Sequence, residues 1–187
     1  MRKLLLVGVG LAVLLAGGRS APKEPEGLAL VRVLGVDGHG PVELTAVCGG
    51  EDQEGNRSRG MCTGESFGRA LAELPWSGRE ELSLTSVSHF IVGRDVALED
   101  VLLTALRDER LGASAQVWLA EDGAAALLAG CEDPSKELEL LERRGIEAPT
   151  VVEALAALYG GELCLPLLAA GEDGLLLADW EEWRALA

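Results

Sequence analysis

The side chains able to act as nucleophile, general base or soft metal ligand are few: His39, His89, the cysteines Cys48, Cys62, Cys131 and Cys164, and Ser66 within Gly64-Glu65-Ser66-Phe67-Gly68. That pentapeptide matches the G-x-S-x-G elbow, in which a serine on a sharp strand-to-helix turn attacks an acyl carbon once a histidine has taken its proton. An elbow follows a buried apolar strand, whereas Asn56-Arg57-Ser58-Arg59-Gly60-Met61-Cys62 is polar and loop-like. His89 comes soon after Ser66 in a segment of strand character, and no histidine follows a later carboxylate in the order such hydrolases use. Thr63 or Ser66 is therefore expected to cap the next helix, and a secreted serine hydrolase using Ser66 is the lesser alternative.

Two histidines without a close cysteine or carboxylate cluster fall short of the three or four convergent ligands that zinc requires, so no metal and no cofactor is expected. His39, in Asp37-Gly38-His39-Gly40, reads as an exposed turn residue. His89, in Val87-Ser88-His89-Phe90-Ile91, reads as a partly buried strand histidine bonded to a neighbouring side chain or carbonyl. Four cysteines permit two disulfides, and their spacings are too wide for a Cys-x-x-Cys site. Cys131 and Cys164 sit in apolar surroundings as small core residues, while Cys48 and Cys62 flank a polar stretch and form the candidate bridge.

With 16 basic residues against 31 acidic the chain carries a net charge of −15, which repels phosphate backbones and makes nucleic acid the least suitable partner. Hydrophobic residues make up 48% of the chain but aromatics only 4%, so the core must be aliphatic and no aromatic stacking surface is on offer. Met1-Arg2-Lys3, the apolar stretch Leu4 to Leu15 and the small residues that follow have the order of an export signal. Residues 1–20 are thus expected to be a signal peptide or N-terminal membrane anchor, 21–27 a Pro- and Glu-rich tether, and 28–187 one folded domain. Leu15-Ala16-Gly17-Gly18 resembles a bacterial lipoprotein box with Gly18 where the lipid-bearing cysteine would stand.

The elements that must position these groups read as an α+β domain: a mixed β-sheet with helices packed against it. Leu28 to Val36 and Val42 to Cys48 are expected as a hairpin, with Asp37 holding the turn through its side chain. Gly49 to Thr63 reads as a long polar loop, Glu65 to Leu74 as a short helix ending at Pro75, and Leu82 to Val92 as one strand. Asp95 or its neighbour opens an amphipathic helix with Val96, Leu98, Val101, Leu102, Ala105 and Leu106 on its apolar face. A strand at Ala113 to Leu119 and helices at Gly123 to Ala129 and Ser135 to Arg143, the latter with Asp133 or Ser135 as cap, come next. A helix from Thr150 to Tyr159 closed by Gly160-Gly161 and a hairpin turning at Gly171 to Gly174 complete the pattern.

Several segments, in order, resemble the Ger(x)C family, the C-subunit lipoproteins of spore germinant receptors in endospore-forming bacteria. Leu34-Gly35-Val36-Asp37 looks like that family's glycine-isoleucine-aspartate turn, and Thr63-Gly64-Glu65-Ser66 with Ala70-Leu71 like its glycine-rich entry to a helix. Ser88-His89-Phe90-Ile91-Val92-Gly93 with Leu98 and Leu102-Leu103 is similar to its histidine-containing strand and following helix. Leu106-Arg107-Asp108-Glu109-Arg110, then Ala113 to Ala120 and Gly123, is similar to its arginine-aspartate motif, strand and short helix. The likeness covers residues 28–130 closely and 131–187 loosely, as the first domain of that family. It implies structural roles for Gly35, Asp37, Gly64, Ser66, His89, Gly93, Arg107 and Asp108, and no enzyme activity. It also implies a membrane-associated component of a germinant receptor, working with integral-membrane receptor subunits. The place implied is the outer face of the cytoplasmic or spore inner membrane, held through the N-terminus, or the medium if the signal is cleaved without lipidation.

Overall fold

The computed structural model describes residues 28–51, 57–77, 81–171 and 174–183, so the expected signal (1–20) and tether (21–27) lie outside the described residues. One mixed sheet of eight strands runs through the domain. Strands β1 (Leu28–Asp37), β5 (His89–Val92), β6 (Gln116–Ala120) and β7 (Cys164–Gly171) lie side by side and parallel at its centre. Antiparallel β2 (Val42–Glu51) and β3 (Arg57–Gly64) extend one side and β8 (Gly174–Glu182) the other, while β4 (Glu81–Ser83) pairs with the start of β1.

Helices cover both faces, as a parallel core demands, because its strands have two buried sides. On one face α1 (Phe67–Glu73), α2 (Leu98–Arg107) and α5 (Val151–Gly160) meet Leu34, Val36, Phe90, Val92, Val117 and Leu165. On the other, α3 (Ala124–Ala129) and α4 (Pro134–Arg143) meet Val33, Ile91, Trp118, Ala120 and Leu168. Alternation along β5 thus sends Phe90 against Phe67, ring centroids 6.5 Å apart, and turns His89 and Ile91 to the opposite side. Leu98, Val101, Leu102 and Ala105 of α2 are buried as their spacing requires, with Leu102 1% exposed, a burial that stabilises by about 1.5–3 kcal/mol, whereas Leu106, expected on the same face, is exposed in the last turn. Thr150 forms a capping box with Glu153 on α5, and Gly161, in the left-handed region at φ 74, ends it.

Four local expectations are corrected. Residues 57–64 of the supposed loop form β3, whose inward positions, alternating with exposed Arg59, Met61 and Thr63, are held by Gly60, Cys62 and Gly64, not by large apolar side chains. The single strand expected at 82–92 is split into β4, paired with Leu28 to Leu30 of β1, and β5, paired with Val33 to Val36, because residues 84–88 are too many for the short stretch of β1 between those pairings. The chain leaves the sheet there, turns by Val87 N donating to Leu84 O, and rejoins where Ser88 N donates to Arg32 O at 3.0 Å. Asp95 does not open α2, whose N-cap is Ala97; its Oδ1 instead accepts from Gly38 N at 3.2 Å. Asp95, not Asp37, therefore holds the β1–β2 turn.

Candidate functional site

Two polar clusters lie on the α3–α4 side of the sheet, one at each end of the parallel strands. At the carboxyl ends, Asp37 closes β1 and reaches across to the start of α3, its Oδ1 accepting from Ala124 N and its Oδ2 from Ala125 N, both at 2.7 Å. The helix is six residues long and Gly123, its N-cap, has no side chain to offer, so this distant carboxylate takes the place of a local cap and faces the positive end of the helix. Glycines make the room. A Cβ on Gly93 would collide with Asp37 Oδ1, and one on Gly123, which holds φ +94, would stand 3.2 Å from it. Gly93 N also donates to Val36 O at 2.8 Å. Gly35 lets the helix lie on β1, for its Cβ would be 2.7 Å from Leu128 Cδ1. The other end of α3 is held by Arg59 from β3, which donates to Leu128 O at 3.0 Å and Cys131 O at 2.7 Å. Both oxygens of Asp37 are thus engaged by backbone, and the arrangement fastens a helix.

At the amino ends of β5 and β6 a cavity of about 400 Å³ opens against α4, lined by Arg32, Ser88, His89, Ser114, Gln116, Glu139, Glu142 and Arg143. His89 is 3% exposed, and burial followed by the nearby Arg32 charge lowers its pKa to about 4, so the imidazole is neutral at physiological pH. Its Nδ1 has no hydrogen-bond partner among the described residues and stands 3.7 Å from Glu142 Oε1. Gln116, in register with His89 on the adjacent strand, also leaves its Oε1 unpartnered while its amide bonds Glu142. Trp118 adds a third unpartnered atom, Nε1, with its ring centroid 6.4 Å from that of His89. Of the buried polar side-chain atoms without a partner among the described residues, only Thr45 Oγ1 on β2 lies outside this group. Glu142 has its pKa raised by burial and by the charges of Glu139 and Glu147, whereas Arg32 and Arg143 both turn to Glu139, at 4.0 and 3.6 Å.

The remaining sequence candidates do not join either cluster. Ser66 is the N-cap of α1, its Oγ accepting from Arg69 N at 3.4 Å, and Gly64 admits the close approach of Ala70 N. Because α1 covers one face and His89 points to the other, the sheet stands between Ser66 and the buried histidine. Arg107 is exposed at the end of α2, and Asp108 pairs with Arg110, not Arg107, through a fork of 2.9 and 2.6 Å that holds its carboxyl below the usual range. His39 is exposed, as expected.

Cys62 lies opposite Leu44 on β2, four residues from Cys48, a separation of about 13 Å at strand spacing that no disulfide spans. Its thiol donates to Ala70 O instead, and burial pushes its pKa to about 11. Cys131 is buried, but Cys164 is exposed at the start of β7, where the core role expected of it falls to its neighbours Leu163 and Leu165. No group of three or more His, Cys, Asp and Glu side chains converges among the described residues, and no helix there is long and apolar enough to cross a membrane.

Gln116, Glu142, Arg32 and Arg59 carried no signal in sequence, since each acquires its role from a partner on another element. Compared with models of protein families, with curated proteins and with solved structures, the chain finds no match.

Proposed function

We propose that this chain is a non-enzymatic, exported and membrane-associated component of a spore germinant receptor, related to the first domain of the Ger(x)C proteins. The observation that supports this reading is the meeting of its resembling motifs. Gly35 and Asp37, Gly93, and the Gly123 segment come from well-separated stretches of chain and assemble one joint. The separation of Ser66 from His89 by the sheet supports the non-enzymatic part, since neither side chain has the other as partner for acyl transfer.

Purification of the tagged chain from detergent-solubilised membranes of the cells that make it tests the proposal. The expected companion is a multi-spanning receptor subunit, with membrane association through the N-terminal segment. Recovery of the chain from the medium alone, with no membrane partner, overturns it. The cavity beside His89 favours a second reading, a secreted solute-binding domain without a role in germination.

A further inference from the structure

We propose that the cavity between the amino ends of β5 and β6 and helix α4 is a binding site for a small primary ammonium compound, with His89 Nδ1, Gln116 Oε1 and the Glu142 carboxylate accepting its N–H donors. The chemistry follows from what the cavity lacks. His89 and Gln116 are register partners on parallel strands about 4.8 Å apart, so their side chains rise together from one face. Each leaves a polar atom buried without a partner, Gln116 Oε1 an acceptor and His89 Nδ1 an acceptor in the tautomer that carries its proton on Nε2, a state that costs free energy until a donor arrives. Glu142, across from them on α4, supplies the third acceptor and the charge.

Its charge is uncompensated. The two guanidinium groups at the mouth, Arg32 and Arg143, are directed to Glu139, and the imidazole beside Glu142 is neutral. An anion would meet three acceptors. A divalent metal would find only one imidazole and one carboxylate not already engaged by an arginine, and a quaternary ammonium has no N–H to give. A primary ammonium offers three donors and one positive charge, which matches three acceptors and one unpaired carboxylate. The volume of about 400 Å³ is at the lower end for small-molecule sites, which sets the size of the compound.

The inference is independent of the receptor reading, because a titration in solution reads it without any partner. The 187-residue chain is titrated with methylammonium, ethanolammonium and butylammonium chloride, following the Trp118 indole and Gln116 amide signals by nuclear magnetic resonance. Tetramethylammonium chloride, sodium chloride and glycerol serve as controls. Saturable shifts with at least one primary amine and none with tetramethylammonium are expected, and Glu142→Gln and Gln116→Leu should each weaken binding about tenfold or more, as loss of a charge-assisted hydrogen bond does. Unfolding curves of both variants establish that they are folded. Equal shifts with tetramethylammonium or sodium chloride, saturation by glycerol but not by amines, unchanged affinity in folded Glu142→Gln, or no saturation by any amine would each overturn the proposal.

Discussion

The two ends of the same parallel strands carry polar clusters of opposite character. At the carboxyl end, Asp37 has both oxygens bonded to backbone N–H groups and two glycines shaped around it. At the amino end, buried His89 and half-buried Gln116 each leave a polar atom without a partner, and Glu142 has no arginine or lysine partner among the described residues. In open α/β sheets the carboxyl ends are the usual place for ligands, yet here that end is filled by the N-terminus of α3. The difference teaches how to separate holding from binding: a polar group whose hydrogen bonds are complete is part of the frame, and one left incomplete inside the frame is available.

Breaking the frame gives the largest expected effect. Asp37→Ala removes two charge-assisted bonds to the α3 terminus, each worth about 1.5–3 kcal/mol before solvent exposure is discounted, so a loss of about 3 kcal/mol is expected in urea unfolding. A simple turn residue would cost only about 1 kcal/mol, and that smaller value would return Asp37 to its own hairpin. Asp37→Asn keeps one acceptor and should recover part of the loss.

The cluster at the other end is expected to respond to pH. Burial holds the His89 pKa at about 4 in the folded chain against the ordinary histidine value of 6.5, so below neutrality the unfolded chain takes up a proton that the folded one refuses. More protons bound in the unfolded state means stability rises with pH across that window and falls as pH drops through it. From pH 7 to pH 5 this contribution is about 2 kcal/mol of lost stability. Arg32 on β1 and Arg143 on α4 oppose protonation, while Glu139 and Glu142 on α4 favour it. The measurement is unfolding free energy across that range in the native chain and in His89→Gln, which should show a flatter profile. Parallel profiles would mean that His89 is not held neutral.

How far sequence could foresee this contrast depends on the range of each interaction. The start of α5 at Thr150 was legible because a cap acts within one turn of its own helix, and most of the α2 stripe because its period lies within one helix. β3 was hidden because its inward positions are Gly60, Cys62 and Gly64 and its arginines serve α3 and Asp133, so no large apolar residue marks its alternation. The break between β4 and β5 was hidden because the chain there is drawn into a turn and returned by a bond to Arg32 on another strand. Asp37 invited a local turn reading, as aspartate before glycine does, but its bonds run to residues 87 and 88 positions away. Of the binding cluster, His89 alone was noticed. Gln116 and Glu142 are ordinary residue types that become informative only when one is found buried and the other unpaired.

Gly93→Ala sharpens the reading of the carboxyl-end joint. The added methyl collides with Asp37 Oδ1, and overpacking of this kind costs about 1–3 kcal/mol. In an Asp37→Ala background the obstacle is gone, so the second substitution should cost measurably less than in the native chain. Additive losses would place the strain of Gly93 elsewhere, for instance against Asp95, whose Oδ1 would lie 3.1 Å from the same methyl.

The smallest expected effect on stability belongs to Gln116→Leu, and its smallness is the point. Removing a hydrogen-bonded buried group strands its partner, whereas Gln116 Oε1 has no partner to strand. Its amide bond to Glu142 lies at the edge of the cavity, beside a carboxylate whose side chain is 31% exposed, where water can take over. Leucine fills a similar volume in the cavity wall next to His89, its register partner. The unfolding free energy should therefore stay within about 0.5 kcal/mol of the native value, the range of substitutions that break no feature of the fold. A loss approaching that of Asp37→Ala would mean that Gln116 is as much a part of the frame as Asp37, and the contrast between the two ends of the sheet would fail.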